Sequence, residues 1–147
     1  MKIGRILVVL FLLLNGCSRN NAVAIRNAAR DGDIVKVHAI LDADPKVVDA
    51  RDNDGVTALI LAAQNGHAEV AKQLLDKGAA ADARRNDGWT ALMVAAANGH
   101  VEVAKQLLDK GAAVDVRNND GWTALMYAVG TRHADVVALL KDHGAKE

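Results

Sequence analysis

Residues 54–79 read DGVTALILAAQNGHAEVAKQLLDKGA, and nearly the same phrase returns further along the chain. Its opening Asp-Gly pair recurs at residues 87 and 120, which gives a period of 33 residues. The copies at 54–86 and 87–119 are identical at 25 of 33 positions. A period of this length indicates a stack of small structural units, each of which buries its apolar face against its neighbours.

Each copy predicts two short helices joined by a turn. Thr57 precedes the apolar run 58–63, so its hydroxyl can cap the amino end of a first helix. Gly66 is placed to end that helix, since glycine readily adopts left-handed backbone angles. In segment 68–76 the apolar residues recur at helical spacing, which predicts a second helix with one buried face. The irregular residues that follow predict a long loop leading to the next Asp-Gly turn.

This pattern resembles the ankyrin repeat over residues 21–147. The features that carry the resemblance are the period, the Asp-Gly-x-Thr opening, the Gly-His between the helices, the Leu-Leu pair and the Gly-Ala close. One departure is Thr-Ala-Leu where the family has Thr-Pro-Leu, which costs some pre-organisation and not the fold. The resemblance implies an all-α fold, a solenoid of helix-turn-helix repeats with β-turn or hairpin loops. The predicted repeats are about 21–53, 54–86, 87–119 and 120–147.

The outer copies carry charges at positions that are apolar in the inner ones. Arg26 and Lys36 in the first copy, and Lys141 in the last, stand where inner copies have isoleucine, valine and leucine. A finite stack needs polar outer faces at both ends. We therefore expect a complete four-repeat stack that needs no further domain to cover its ends.

The first sixteen residues predict a signal peptide. Lys2 and Arg5 precede nine apolar residues at 6–14, which is too short for a membrane-spanning helix and typical of a signal sequence. The following Leu-Asn-Gly-Cys, ending at Cys17, resembles the lipobox of bacterial lipoproteins, although its asparagine departs from the usual alanine or serine. The resemblance implies lipid attachment at Cys17, and Ser18 after it is similar to an outer-membrane sorting signal.

Three alternatives to lipidation stay open from the sequence. Cys17 could be an ordinary buried thiol, or an ordinary signal cleavage could occur at residues 22–24. If Cys17 is not modified, a cytoplasmic form is the fallback. With lipidation, residues 1–16 are removed, 17–20 form a short tether and 21–147 form the repeat domain.

Composition excludes several function classes. The 147-residue chain has 18 basic and 18 acidic residues, whereas a general nucleic-acid binder needs a basic excess. The one serine, Ser18, lies ahead of the repeats, so a Ser-His-Asp hydrolase within the fold is excluded. We expect no cofactor, no metal and no enzymatic activity.

Histidine and aspartate recur in columns at the same spacing. Neighbouring members of the histidine column should lie about 8–10 Å apart, too far to share a zinc ion, so loop-to-loop hydrogen bonds are favoured. A catalytic acid is normally unique, so the aspartate columns indicate turns in which each carboxylate bonds its own backbone. The columns are His67, His100 and His133; Asp49, Asp82 and Asp115; and Asp54, Asp87 and Asp120.

Arginine forms a further column at Arg51, Arg84 and Arg117, with Arg85 beside it. The favoured interpretation is a ladder of solvated ion pairs with the nearby aspartates, each worth roughly 0–1 kcal/mol. The alternative is an anion-recognising edge on a surface that binds a partner.

Trp89 and Trp122 are the strongest indication of function. Both occupy the variable position between glycine and threonine, about 10 Å apart on adjacent repeats, as a pair of binding anchors would be. The alternative is that each ring lies flat over its own turn. Tyr127 replaces a leucine and a valine, which indicates a core position first and a contact second.

The resemblance implies a concave contact surface made of the loop tips and the ends of the first helices. Its predicted partner-binding residues are Asn53, Asp54, Val56, Gln64, Asn86, Asp87, Trp89, Asn98, Asn119, Asp120 and Trp122, with Asn65, Ala97, Gly130 and Thr131 beside them.

The predicted function is non-enzymatic protein binding by a scaffold or adaptor, anchored by lipid in the bacterial envelope. The partner would be another protein in the periplasm, and the membrane would be contacted only through the lipid. An inhibitor or immunity protein that blocks a toxin or enzyme is the alternative. A small-ligand binder or enzyme is a second alternative without a motif to support it.

Overall fold

The computed structural model describes residues 18–147, so the predicted signal peptide and Cys17 lie outside the described residues. Within that range the chain forms eight α-helices and one 3₁₀ helix, with no β-strand. An isolated antiparallel bridge joins Arg84 and Thr90 within one hairpin loop. The elements are α1 Ser18–Asp31, α2 Ile34–Ala43, the 3₁₀ helix Pro45–Asp49, α3 Ala58–Asn65, α4 Ala68–Asp76, α5 Ala91–Asn98, α6 Val101–Asp109, α7 Ala124–Gly130 and α8 Ala134–Asp142.

The predicted helix caps are confirmed. The hydroxyl of Thr57 accepts a hydrogen bond from the backbone N–H of Ile60 at 3.3 Å, and Thr90 and Thr123 cap α5 and α7 in the same way. Gly66 ends α3 with φ 71°, in the left-handed region that favours glycine. The local signals in the sequence therefore define where each first helix begins, and in α3 where it ends.

The repeats stack in two layers. The first helices pack in the order α1, α3, α5, α7, and the second helices pack in the order α2, α4, α6, α8. Small residues allow this close approach, because alanines at 62, 63, 95 and 96 are fully buried between neighbouring first helices. Leucines and isoleucines of the second helices complete one continuous core along the stack. This is the all-α ankyrin-type solenoid that the sequence predicts.

One aspartate column ties each repeat to the next, which corrects the prediction of bonds within its own turn. Asp82 accepts a hydrogen bond from the backbone N–H of Ala113 at 2.9 Å, 31 residues further along the chain. Asp49 accepts from Ala80, and Asp115 from Lys146, in the same way. The carboxylates reach forward because the following loop presents a backbone donor that has no partner of its own.

The two ends of the stack differ from its middle. Ser18–Asn20, predicted as part of a tether, form the first turn of α1, because extending an existing helix by a turn is cheaper than starting one. The predicted end charges are present: Lys36 and Lys141 are exposed, and Arg26 is half-buried. However, Val129 in α7 is 57% exposed, whereas its counterparts in α3 and α5 are buried alanines.

None of the helices in residues 18–147 is both long and apolar enough to cross a membrane.

Candidate functional site

The candidate site is built on three hairpin loops, residues 51–56, 84–89 and 117–122, which we call the tip surface. In the first loop Asp52 accepts hydrogen bonds from the N–H groups of Asp54 and Val56 at 3.0 and 2.9 Å. In the third loop the side chain of Asn118 accepts from Asp120 and Trp122 at 3.1 and 2.9 Å. These bonds hold each loop in shape without any ligand.

The middle loop is organised differently. Arg85 occupies the position of Asp52 and Asn118 and cannot accept a hydrogen bond. Asp87 accepts one instead, from the backbone N–H of Trp89 at 3.2 Å. Only Asp87 of its column bonds its own turn as predicted. Sequence reasoning missed the position that does this in the other two loops, because the arginine in the middle copy hides the pattern.

Backbone and amide hydrogen bonds join the three loops to one another. The N–H of Asn86 donates to the carbonyl of Asp54 at 2.9 Å, and the N–H of Asn119 donates to Asp87 at 3.0 Å. The side-chain amides of Asn86 and Asn119 donate to the carbonyls of Asn53 and Asn86 at 2.8 and 3.0 Å. Both asparagines were predicted as partner contacts, yet their amides already hold the stack together.

Three aromatic rings meet where the tip surface of the last two repeats adjoins α7. The ring centroid of Tyr127 lies 4.3 Å from that of Trp89 and 5.3 Å from that of Trp122. The amide of Asn118 donates to the hydroxyl of Tyr127 at 2.8 Å, which fixes the middle ring. The tryptophans are therefore not independent anchors, because Tyr127 joins them into one aromatic cluster.

The two tryptophans differ in exposure. Trp89 is half-buried and packs against the core of the stack. Trp122 is 45% exposed and is not among the residues packed on that core. Trp122 therefore offers the accessible apolar surface, and Trp89 with Tyr127 supports it.

The arginine column does not form the predicted ladder of ion pairs. Arg84 donates to the carbonyl of Arg117 at 2.7 Å, and Arg117 donates to the carbonyl of Gly121 at 2.7 Å. Only Arg85 pairs with a carboxylate in this group, that of Asp87 at 2.6 Å. Within residues 18–147, neither Arg84 nor Arg117 has an aspartate or glutamate oxygen within 4.0 Å, because backbone carbonyls of the loops lie in reach instead.

Arg85 also contacts the aromatic cluster. Its guanidinium carbon lies 5.9 Å from the ring centroid of Trp89, within the range of a cation–π interaction. The ion pair with Asp87 holds this guanidinium in place.

The predicted residues at the ends of the first helices lie apart from the loops. Gln64 and Asn98 are exposed at the carboxyl ends of α3 and α5. Each of these helices has eight residues, so its ends are separated by about 10 Å. The amide of Asn98 donates to the carbonyl of Val94 at 2.8 Å. The predicted surface therefore has a loop part, which carries the aromatic cluster, and a helix-end part.

The histidine column forms the predicted loop-to-loop hydrogen bonds. Nε2 of His67 lies 2.9 Å from the carbonyl oxygen of Arg30, and His100 and His133 contact the carbonyls of Gln64 and Ala97 at 3.1 and 3.2 Å. Each histidine thus joins its repeat to the one before it. The part of the chain that the structure describes brings no three metal-binding side chains together.

The other side of the stack carries paired charges. Asp76 in α4 accepts from Lys72 at 2.8 Å and from Lys110 of the next repeat at 2.9 Å. The hydrogen bonds from the two ammonium groups lower the pKa of Asp76 to about 2. Lys77 pairs with Asp42 at 3.3 Å across the first two repeats.

A linear stack of paired helices joined by hydrogen-bonded hairpin loops defines a helical repeat scaffold. A family model described as "Ankyrin repeats (3 copies)" matches residues 2–85 and 79–147. The chain therefore belongs to the ankyrin-repeat family, and ankyrin repeats indicate a protein-binding scaffold that is generally not catalytic.

Curated relatives match a short part of the chain. A 51-residue segment is 43% identical to the proteins named NAD-capped RNA hydrolase NUDT12 of Macaca fascicularis, Pongo abelii and Homo sapiens. The match covers 35% of this chain and only 11% of each relative. The similarity therefore does not transfer the hydrolase named in those proteins to this chain.

Proposed function

We propose that this protein is a non-enzymatic binding module that recognises another protein through its tip surface. The observation that carries the proposal is the aromatic cluster, in which the 45% exposed Trp122 rests on Tyr127 and Trp89. Exposed aromatic side chains held by a rigid support are common centres of protein interfaces. The loops are already held by hydrogen bonds, so binding would require little ordering.

We further propose that the module faces the periplasm, attached by lipid at Cys17, with the outer membrane as its site. The support is sequence alone: two cations, nine apolar residues and a cysteine in a lipobox-like context. Two or more acyl chains would hold the protein stably at a membrane, where one would not.

The binding proposal is tested by crosslinking in intact cells, followed by affinity capture and mass spectrometry. We expect one stoichiometric partner with the native chain and its loss with Trp122→Ala. Lys105→Gln is the matched control, because Lys105 is exposed on α6, in the other layer of the stack. A partner that persists in Trp122→Ala would move the binding surface elsewhere, and the absence of any partner would contradict the proposal.

An activity assay on the captured partner separates the scaffold from the alternative of an inhibitor or immunity protein. An inhibitor should bind a toxin or enzyme one-to-one and abolish its activity when the two are mixed. A scaffold should leave the activity of its partner intact.

The lipid anchor is tested with Cys17→Ala. Metabolic labelling with an alkyne fatty acid should mark the native chain and not the variant, and the variant should leave the membrane fraction. Labelling of Cys17→Ala, or native chain without label, would contradict the anchor.

A further inference from the structure

We infer that the tip surface of the last two repeats recognises an acidic peptide segment that carries an apolar anchor residue. This inference rests on the proposed protein-binding function and names the chemistry of the partner. It follows from the aromatic cluster and from the arginines that lie on the same two loops.

The apolar half of the site is Trp122. Its counterpart Trp89 is half-buried because Tyr127 of the following repeat lies over it. The ring of Trp122 lies against Tyr127, with 5.3 Å between the ring centroids, and 45% of the residue is exposed. An aliphatic or aromatic side chain of a partner would cover this ring as Tyr127 covers Trp89, and it would gain roughly 25 cal/mol for each Å² of apolar surface removed from water.

Arginines and lysines lie on different sides of the stack. All eight arginines of residues 18–147 lie on α1, in the hairpin loops or in the turn after α7, whereas all eight lysines lie on or just after the second helices and in the 3₁₀ helix. The lysines at 72, 77, 110 and 141 pair with carboxylates. Half of the eight lysines are therefore already paired with carboxylates of the protein.

The arginines near Trp122 keep most of their binding capacity. Arg84 and Arg117 each donate to a backbone carbonyl, and a guanidinium has five N–H donors in a planar fork. The bond to the loop fixes each fork, so little side-chain entropy is lost when a carboxylate binds. These two loops carry two carboxylates, those of Asp87 and Asp120. Asp87 is already paired with Arg85, so Asp120 is the one that can offset the charges of Arg84 and Arg117.

The guanidinium of Arg84 lies on the loop that carries Trp122, because it reaches the carbonyl of Arg117 at 2.7 Å. A carboxylate bound at Arg84 or Arg117 and an apolar side chain on Trp122 would therefore come from nearby residues of one segment. Guanidinium groups bind carboxylates in a bidentate manner, which favours aspartate or glutamate over a neutral polar residue.

The test selects ligands for the purified domain from a random peptide library. We expect enrichment of sequences with aspartate or glutamate within a few residues of a large apolar residue. Binding of a selected peptide can be followed by intrinsic fluorescence, because Trp89 and Trp122 are the only tryptophans in the chain. Enrichment of basic or purely apolar sequences, or no enrichment, would overturn the inference.

Variants of the peptide and of the protein then locate the two contacts. Replacing the acidic residues of the peptide by amides should weaken binding about tenfold, and high salt should weaken it as well. Arg84→Gln combined with Arg117→Gln should give a similar loss, and Trp122→Ala should remove the apolar contact. Lys105→Gln, which deletes a charge in the other layer, should bind like the native chain. Peptide binding that is insensitive to the amide replacement would overturn the inference even if the arginine variant were unstable.

Failure of this inference is distinguishable from failure of the proposed function. A partner captured in cells and lost in Trp122→Ala, without any preference for acidic peptides, would leave the binding function standing and reject the acidic segment. An acidic peptide that binds the domain, without a protein partner in cells, would do the reverse.

Discussion

Three glycines lie where α-helices of one repeat end and the histidine of the next repeat packs. Gly66 has φ 71°, and a Cβ atom there would lie 2.6 Å from Nδ1 of His100. Gly32 and Gly99 meet His67 and His133 in the same way. Two constraints therefore favour glycine at each position: the backbone is left-handed, and the histidine ring leaves no room for a Cβ atom.

Gly66→Ala and Gly78→Ala separate these two requirements. Gly78 also has a positive φ, but a Cβ there would meet nothing within 4 Å. We expect Gly78→Ala to lower the free energy of unfolding by about 1–2 kcal/mol, the cost of a left-handed L-residue. Gly66→Ala should cost about 1 kcal/mol more, because His100 must move and lose its bond to Gln64. Denaturant unfolding of both variants measures the difference, and equal losses would show that the histidine contact contributes nothing.

Arg132 occupies the position of these glycines in the last repeat and has φ 62°. No histidine of a further repeat packs on it, so a side chain fits there although the backbone stays strained. This residue could have been identified from the alignment of the copies, where Gly66 and Gly99 become arginine.

At the scale of the helices, ion pairs connect neighbouring second helices. Asp76 in α4 is held by Lys72 of its own helix and by Lys110 after α6. Both lysines are exposed, so the pair is screened by salt, and its clearest signature is the pKa of the carboxyl group.

Asp76 should make stability depend on acid pH. Its pKa is about 2 in the folded chain, below the ordinary value of 3.8, so the unfolded chain takes up the proton first as the pH falls. The stabilisation is therefore present above about pH 4 and lost as the pH falls towards 2. Asp76→Asn should flatten this part of the curve of melting temperature against pH, and so should high salt. Asp109→Asn, at the equivalent position of α6, is the control; an unchanged curve for Asp76→Asn would contradict the assignment.

The elements were readable from the sequence, and the contacts between repeats were less so. Thr57, Gly66 and the apolar stripes act within a few residues, so local chemistry predicts the helices and their ends. The bonds of Asp82 to Ala113 and of Arg84 to Arg117 span 31 and 33 residues, and they depend on how one loop is offset against the next. That offset is set by the packing of all the helices, so the sequence predicted the wrong partners for these side chains.

The aromatic cluster shows the same limit. The sequence predicts Trp89 and Trp122 as a pair of anchors, and it predicts Tyr127 as a core residue first and a contact second. The size of the side chain was the one indication in the sequence that Tyr127 contacts the tryptophans. Tyrosine is larger than the leucine and valine at the equivalent positions, and its ring reaches Trp89 and Trp122. Its contact with both tryptophans required the geometry of two adjacent loops.

At the scale of the whole molecule, the stack is linear. Within residues 18–147, the inner helices α3 to α6 have neighbours on both sides, whereas α7 and α8 have a neighbour on one side only. In such arrays stability is approximately the sum of repeat and interface contributions, so the ends open most easily.

Hydrogen exchange should therefore be graded along the chain. We expect backbone amides of α7 and α8 to exchange faster than those of α4 and α5 at neutral pH, and mass spectrometry of peptic fragments can measure it. A peptide that binds at Trp122 should slow exchange in α7 more than in α3. Uniform protection along residues 18–147 would indicate a single cooperative unit and contradict this expectation.

The separation of arginines from lysines has a practical consequence for anyone who handles the molecule. Reagents that acylate primary amines react with lysine, and the hairpin loops contain none. Coupling through the lysines would attach the repeat domain to a sensor chip or a dye by its second-helix side, with the aromatic cluster facing outward. The folded chain thus carries its own means of oriented immobilisation.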